Sequence, residues 1–365
     1  MNKKYALIVK TGESELKAVQ YLSANTLSSI LPIIELTRGR KLPQKKGDHS
    51  APKYPFDRRL SSIKSIFKGQ TVCIDLTSDV NLSNSEIDSL YKADDGYKNW
   101  VNFILGLKQE ACFRNIIPCI ILDVEDTNFQ DNLLKQVRKL KQHFKIIAYR
   151  NNLFDENCYN DFILLKDELK GVELITIIDC GYVITSSYNE FAQKVKARIN
   201  NLRKLLDSNT TYIIASTSYP RYISDIGDDF SDTFKLVEQN IFSFVAEGNP
   251  ANLIYGDYGT INPERNDTIA MARGWIPRID VPLQHEIFYY RERRPTGELT
   301  YSNTYKKVAT LVLNDSRFPS NLKDVWGITQ IKDCAIKPAS TSPGFWISVR
   351  MNIHIEQQVL RLYAK

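Results

Sequence analysis

The sequence predicts an α/β protein, namely a (β/α)8 TIM-like barrel with a C-terminal β-ribbon and helix addition. Apolar runs of strand length alternate with stretches of helical length eight times over about 260 residues, which suits a closed barrel. The runs are apolar at nearly every position, as expected for parallel strands buried on both faces. No G-x-G-x-x-G motif follows the first run, so a dinucleotide-binding open sheet is the less favoured interpretation.

The eight predicted strands carry polar residues at or beside their carboxyl ends. In order they are Tyr5–Lys10, Ile30–Leu36, Thr71–Thr77, Ile116–Glu125, Lys145–Arg150, Val172–Asp179, Thr211–Ser218 and Leu253–Asp257. Helical spacing of apolar residues predicts helices over Glu13–Ala24, Phe56–Phe67, Phe129–His143, Glu156–Leu169, Tyr188–Leu206 and Phe234–Ala246, with one or two more between the third strand and Ala111.

The pattern changes near Met271, which predicts a barrel over residues 1–270 and an extension over residues 271–365 that packs on it. In the extension, Asp280–Tyr290 and Leu299–Ser302 are predicted to form the ribbon, with a turn at Arg294–Glu298. Helices are predicted over Tyr305–Leu313 and Ile353–Tyr363, with an irregular segment over Leu322–Pro343 between them.

Composition indicates an ordinary globular protein with a large core, since 43% of residues are apolar and 25% are charged. The net charge of +6 permits a phosphate-bearing partner without requiring one. Six scattered cysteines without a CxxC pair indicate reduced core residues. The N-terminus does not resemble a signal peptide and no apolar run is long enough to span a bilayer, so we expect a soluble, cytoplasmic protein without a membrane partner.

The polar strand ends define the candidate site, because the carboxyl ends of the strands of a parallel barrel meet in one mouth. The set comprises Lys10, Glu35, Asp75, Asp123, Glu125, Arg150, Asp179, Ser216, Ser218 and Asp257. Any single member of the set is explained equally well as a residue that caps the following helix. So many acids in one volume require a cation, a metal or a ligand, although a structural plug neutralised by Lys10 and Arg150 is the competing interpretation.

Two kinds of chemistry suit this set. In the first, Mg²⁺ or Mn²⁺ binds to Glu35, Asp75, Asp123, Asp179 and Asp257. Asp123, Glu125, Lys10 and Arg150 would then be the catalytic residues of a metal-dependent phosphoric ester hydrolase. Its phosphate-bearing substrate would contact Lys10, Arg38, Arg150, Ser216, Ser218 and Tyr258. In the second, paired carboxylates perform acid–base chemistry on a sugar.

Histidine chemistry is disfavoured because no histidine lies at a strand end, although the Asp48–His49 pair lies in a loop predicted to cover the mouth. That basic loop, Arg38–Lys53, is one feature that could contact a nucleotide or nucleic acid. The other is the ribbon segment FYYRERRPTGELTY, where Tyr289, Tyr290 and Tyr301 alternate with Arg291, Arg293 and Arg294. A solvated ribbon edge protected by charge is the competing interpretation.

Several segments together resemble the Beta protein family of phages and bacterial anti-phage defence islands. They are Tyr5-x-x-Ile8-x-Lys10, Glu13–Ala18, Leu31–Glu35, Gly256–Gly259 and the tail with Trp275 and Trp346. The resemblance implies a role in phage exclusion, in one case as the companion that restrains a toxin-like protein, and assigns no catalytic residue. Two hypotheses follow, a hydrolase acting on a phosphate-bearing ligand and a non-catalytic antitoxin, sensor or protein-interaction module.

Overall fold

The computed structural model describes residues 3–43, 53–123, 125–221, 230–248, 252–264 and 274–364. Within these ranges the strands are β1 (Tyr5–Lys10), β2 (Ile30–Leu36), β3 (Thr71–Leu76), β4 (Asn115–Pro118), β5 (Ile146–Asn152), β6 (Glu173–Tyr182), β7 (Thr211–Thr217), β8 (Ser231–Lys235), β9 (Leu253–Asp257), β10 (Arg278–Pro282) and β11 (Glu286–Arg291). The helices are α1 (Glu13–Gln20), α2 (Ala24–Ser29), α3 (Phe56–Ile66), α4 (Ser85–Leu90), α5 (Asp94–Gln109), α6 (Phe129–Lys141), α7 (Cys158–Leu165), α8 (Tyr188–Leu202), α9 (Glu238–Ala246), α10 (Ser302–Asn314), α11 (Trp326–Ile336) and α12 (Pro343–Tyr363).

Eight parallel strands of the described chain form the barrel, in the order β4-β3-β2-β1-β9-β7-β6-β5. Closure occurs beyond the end of β4, where Cys119 bridges to Ala148 of β5 and the Ile120 N–H donates to the Ala148 oxygen at 2.8 Å. The predicted (β/α)8 barrel is therefore confirmed.

Alternate residues of each strand face opposite sides of the barrel wall, as the two-residue period of a strand requires. The interior is filled by small and branched side chains such as Ala6, Ile8, Ile33 and Cys73. The other set of side chains packs outward beneath the helices. This alternation decides which polar strand ends reach the mouth.

The C-terminal region is organised around α12. Ser342 caps this helix by accepting a hydrogen bond from the Phe345 N–H at 3.4 Å, and Pro343 occupies its first turn. One face of α12, including Met351 and Ile355, joins the outer core of the barrel. The opposite face, with Val349 among its residues, joins a second core. Because α12 is buried on both faces, it connects the barrel to the C-terminal layer.

The second core also contains α10, α11 and a three-stranded antiparallel sheet in the order β10-β11-β8. Since β8 precedes the barrel strand β9 in the chain, this sheet uses residues from both sides of the predicted boundary at 270/271. The boundary itself lies outside the described residues, as do Lys45, Lys46, Asp48 and His49 of the predicted basic loop.

The fourth strand is shorter than predicted, because it ends at Pro118 and does not reach Glu125. A glutamine of α6 is the reason. The Ile121 N–H donates to Gln136 Oε1 at 2.7 Å, and Gln136 Nε2 donates to the Ile121 oxygen at 3.0 Å. The buried amide therefore takes both backbone groups of Ile121, and the chain leaves the sheet before Asp123.

The ribbon turn also differs from the prediction at Arg294–Glu298. The segment predicted as one strand, Asp280–Tyr290, is instead divided between β10 and β11, with Val281 opposite Phe288. Pro282 has no N–H to extend the ladder, and the Leu283 N–H closes the turn on the Glu286 oxygen at 2.8 Å. Two helix predictions were also incomplete, since α11 lies within the segment predicted to be irregular and α12 begins ten residues before Ile353.

Candidate functional site

Five of the ten polar strand-end residues predicted for the site line one cavity of about 870 Å³ at the carboxyl end of the barrel, which we call the mouth. They are Lys10, Glu35, Asp75, Arg150 and Asp179. Each lies two residues beyond an inward-facing apolar side chain of its own strand, as Lys10 does after Ile8. Strand alternation therefore turns all five toward the same volume.

Arg150 lies at the centre of the floor of the mouth, with only 15% of its side chain exposed. Its Nη1 donates to Glu35 at 2.8 Å and to Asp75 at 2.7 Å. Its Nε and Nη2 donate to Asp179 at 3.0 and 2.7 Å, and Nη2 also donates to the Tyr258 hydroxyl at 3.2 Å. A guanidinium group has five N–H donors, and here all five are engaged by described residues. Arg150 is therefore the shared counter-ion of three buried carboxylates.

Glu35 and Asp75 both bind Arg150, yet their pKa values shift in opposite directions. Burial alone would raise the pKa of Glu35, but Arg150 and Lys10 outweigh it and lower that pKa to about 2. Burial dominates at Asp75 and raises its pKa, because Arg150 is opposed there by the neighbouring charge of Glu35. The floor therefore holds one firmly ionised carboxylate beside one that protonates more readily.

Tyr258 and Lys10 complete the floor. The Tyr258 hydroxyl donates to Asp179 at 2.6 Å, and burial followed by the charge of Asp179 raises the pKa of this tyrosine. Lys10 Nζ lies 3.4 Å from Glu35 and donates to the Pro263 oxygen at 2.7 Å. Tyr258, which was predicted to contact a ligand, thus lines the mouth, and its hydroxyl is engaged by Asp179.

Asp257 faces away from the mouth, because Ile254 is the inward-facing residue of its strand and Asp257 has the opposite parity. Its carboxylate accepts hydrogen bonds from Tyr5 and Tyr255 hydroxyls, from His354 Nε2 of α12 and from the Gly259 N–H. Burial opposes ionisation of Asp257, but His354 outweighs it and lowers the pKa. Asp257 therefore joins the barrel to α12. It does not lie in the mouth, where it was expected to bind a metal.

The two serines expected at the end of β7 lie elsewhere as well. Ser216 has the parity of Asp257, opposite which it lies in the sheet, and is buried. The Ser218 hydroxyl accepts the Val237 N–H at 3.2 Å and donates to Glu238 at 3.0 Å at the start of α9. Ser218 thus binds the residues at the start of α9, which is a structural role.

Asp123 and Glu125 occupy a turn outside the lining of the mouth. Asp123 Oδ1 accepts the Glu125 N–H at 3.0 Å, and Glu125 is exposed. Arg38 lies outside the mouth too, with its guanidinium 3.8 Å from the Tyr54 ring centroid and its Nε donating to the Asn81 oxygen at 2.8 Å. The structure therefore does not bring these three residues to the floor.

A divalent metal does not fit the floor as it is arranged, because the Arg150 guanidinium occupies the place between Glu35, Asp75 and Asp179 that a metal would need. In the ranges that the structure describes, no group of three or more His, Cys, Asp or Glu side chains has a metal-binding arrangement.

The rim of the mouth contains residues that the sequence pattern does not indicate. Asp79 and Asp155 follow strand ends in loops, and aromatic rings lie among the lining residues, which include Tyr91, Phe154, Tyr182 and Phe191. The rings of Phe154 and Phe191 meet edge to face at 5.2 Å. In the sequence, these residues are marked only by being an acid or an aromatic residue a few positions after a predicted strand end. Such residues are too common in loops to identify a site.

The arginine- and tyrosine-rich segment of the ribbon is used largely for packing. Tyr289 and Arg291 are buried, with the Arg291 guanidinium 5.9 Å from the Tyr289 ring centroid. Tyr301 stacks on Trp275 at 4.0 Å, and Arg294 lies 4.5 Å from the Tyr301 ring. These two tyrosines therefore already pack within the fold, which argues against base stacking and also against a fully solvated edge.

Comparisons with known proteins identify a family and a relative from a phage. A family model described as Beta protein matches residues 5–360. A protein of Enterobacteria phage P4 named "Protein beta" is 25% identical over 365 residues, covering 98% of this chain and 93% of the phage protein. No solved structure matches the chain significantly. No helix in the described ranges has the length and apolar character to cross a lipid bilayer.

Proposed function

The chain belongs to the Beta protein family, and we propose that it is a non-catalytic binding component in phage–host conflict. Its barrel mouth would receive a positively charged group of a protein partner. The phage origin of the P4 relative supports the setting. The charges and aromatic rings that line the mouth support a positively charged group as its ligand.

The observation that carries the proposal is the complete engagement of Arg150. A phosphate group binds to arginine by accepting its N–H donors, and all five donors of Arg150 already serve Glu35, Asp75, Asp179 and Tyr258. A phosphate in the mouth would therefore have to displace a carboxylate from Arg150. It would also lie beside the negative charges of the floor.

The charge of the lining favours a cation. Its described acids are Glu35, Asp75, Asp79, Asp155, Asp179 and Glu264, and its described bases are Lys10, Arg150 and Arg221. The aromatic rings of the rim could hold a cation on their faces, as Phe154 already does with Lys194 Nζ at 4.5 Å. A lysine or arginine side chain of a partner would match both features.

Metal-dependent phosphodiester hydrolysis is the competing function. It requires Glu35, Asp75 and Asp179 to release Arg150 and bind Mg²⁺ or Mn²⁺, which leaves a buried guanidinium without its partners at considerable cost. The same carboxylates would be needed for acid–base chemistry on a sugar. The arrangement of the floor therefore supports binding over catalysis.

A peptide titration tests this proposal. Tetralysine should bind to the parent protein at low salt and release heat in a calorimeter. The double variant Asp79→Asn, Asp155→Asn should bind about tenfold more weakly, because two rim charges are lost while their shapes are kept. The matched control is Asp131→Asn, Asp167→Asn, which removes two exposed carboxylates that pair with Lys135 and Lys170 away from the mouth.

Two results would contradict the proposal. One is the absence of tetralysine binding by the parent protein, or equal loss in the control variant. The other is a rise in melting temperature on adding Mg²⁺ or Mn²⁺ that disappears in Asp179→Asn, which would favour the metal-dependent hydrolase.

A further inference from the structure

We propose a second binding site beside the mouth, for a small ligand that carries two or more phosphate groups. The site, which we call the basic cleft, is a cavity of about 880 Å³. Its described lining residues are Glu13, Gly39, Arg40, Lys41, Leu42, Pro43, Pro55, Arg58, Arg59 and Ser62. The proposal does not depend on the proposed role of the mouth.

The walls of the basic cleft are held together by the backbone. The Leu42 N–H donates to the Lys53 oxygen at 2.9 Å and joins the two segments that lead to the cleft. A Cβ atom on Gly39 would lie only 2.0 Å from the Pro55 oxygen, so the two segments touch at this point and only glycine permits the contact. These two contacts hold the described walls of the cleft against each other, which lowers the entropic cost of binding between them.

The described lining is strongly positive, since it contains Arg40, Lys41, Arg58 and Arg59 against the single carboxylate of Glu13. That carboxylate lies 3.3 Å from Arg40, in a pair whose side chains are 77% and 57% exposed. Exposed pairs of this kind contribute little, so a phosphate can replace Glu13 as the partner of Arg40. The side chains of Arg40, Lys41 and Arg58 are exposed, so the fold does not require their positive charge for its core.

The number and type of these cations favour phosphate groups over a single carboxylate. Arginine presents parallel N–H donors that match two phosphate oxygens, and three of the four cations are arginines. One monoanion would balance only one of the exposed charges of Arg40, Lys41 and Arg58, whereas a diphosphate or triphosphate would balance more of them.

The shape favours a small molecule over a nucleic acid strand. The volume lies within the usual range for small-ligand pockets, about 300–1,000 Å³. A strand needs a groove that continues beyond one cavity. Toward the mouth, the basic cleft meets a smaller hollow of about 420 Å³ in which Glu13, Glu15 and Glu264 lie among arginines. Two of these arginines, Arg221 and Arg350, are already paired with Glu264 and Asp280. The positive charge of the hollow is therefore partly neutralised by the protein.

A binding experiment with inorganic pyrophosphate tests the assignment on the full-length protein. Without divalent metal, which would mask the phosphate charge, pyrophosphate should bind with an affinity that falls as salt is raised. The double variant Lys41→Gln, Arg58→Gln should bind about 10-fold to 100-fold more weakly, because two charge-assisted contacts are lost. Both side chains are exposed, so this variant is expected to fold normally.

The matched control is Lys166→Gln, Lys170→Gln, which removes the same charge beside a small cavity elsewhere on the barrel. It should keep parental affinity. Absence of pyrophosphate binding by the parent, or equal weakening in both double variants, would overturn the proposal. A 12-nucleotide single-stranded DNA that binds more than about 100-fold tighter than pyrophosphate and ATP would overturn the small-ligand assignment.

Discussion

The mouth and the basic cleft are neighbouring cavities of similar volume, and they use their arginines in opposite ways. In the mouth, Arg150 is 15% exposed and each of its donors is bound to a group of the protein. In the cleft, the side chain of Arg40 is 77% exposed and has only a weak partner in Glu13. The two arginines have the same charge but differ in how many of their donors the protein already binds, and on this difference rest the roles proposed for the two cavities.

The largest effect that separates the two cavities should come from removing Arg150. Arg150→Gln leaves three buried carboxylates without their shared cation, which should lower the free energy of unfolding by about 3–5 kcal/mol. Arg58→Gln in the cleft should change it by no more than about 0.5 kcal/mol. Urea denaturation at neutral pH measures both, and similar values for the two variants would mean that the floor of the mouth is solvated like the cleft.

A smaller effect should appear in the dependence of stability on pH. Because the pKa of Glu35 is lowered from 4.5 to about 2, its stabilisation is present above about pH 4.5 and is lost as the pH falls toward 2. Over this interval the free energy of unfolding should fall by roughly 3 kcal/mol more in the parent than in Glu35→Gln. Asp75 has the opposite effect on stability. Because its pKa is raised, its contribution to the free energy of unfolding is present at low pH and is lost as the pH rises.

Unfolding free energies at about pH 5 and about pH 2 for the parent and Glu35→Gln measure this difference. Glu13→Gln, which alters the exposed carboxylate of the cleft, is the control. Equal pH dependence in the parent and Glu35→Gln would show that Arg150 and Lys10 do not hold Glu35 in its ionised form.

The smallest effect should come from an ion pair that lies between the mouth and the basic cleft. Arg221 pairs with Glu264 at 2.5 Å, and both residues line the mouth and the hollow. Arg221→Gln should change stability by less than about 1 kcal/mol, because the pair is exposed. It should raise tetralysine affinity and lower pyrophosphate affinity by about twofold each, since it removes one positive charge between the two sites. Calorimetric titrations measure both, and changes in the same direction would contradict two separate sites of opposite charge.

The sequence predicted the barrel because its strands are separated by helices at regular intervals, and it predicted the floor of the mouth because Lys10, Glu35, Asp75, Arg150 and Asp179 share one strand parity. In Leu253–Asp257 the sequence does not show which residues face the barrel interior, because apolar and small residues occupy both faces of this strand. Asp257 was therefore placed in the mouth, although the structure turns it toward α12.

The remaining differences depend on contacts between residues that are distant in the chain. Asp123 leaves the sheet because Gln136 binds the backbone of Ile121, and nothing in the local sequence reveals that contact. The basic cleft brings Arg40 together with Arg58 across residues 44–52, which lie outside the described ranges. A run of basic residues indicates positive charge, but only the folded chain shows which of those residues share a cavity.

The position of α12 has a consequence for the order of events during synthesis on the ribosome. The barrel strand β9 places Asp257 against His354, and the backbone N–H of Lys4 beside β1 donates to the Tyr363 hydroxyl at 2.8 Å. Both contacts join early parts of the polypeptide to the helix that is translated after all eight barrel strands. A nascent chain that lacks α12 exposes the outer barrel surface against which Met351 and Ile355 pack. The barrel can therefore reach its full stability only after translation has passed α12, so a premature stop codon in this helix should release an unstable protein that is degraded.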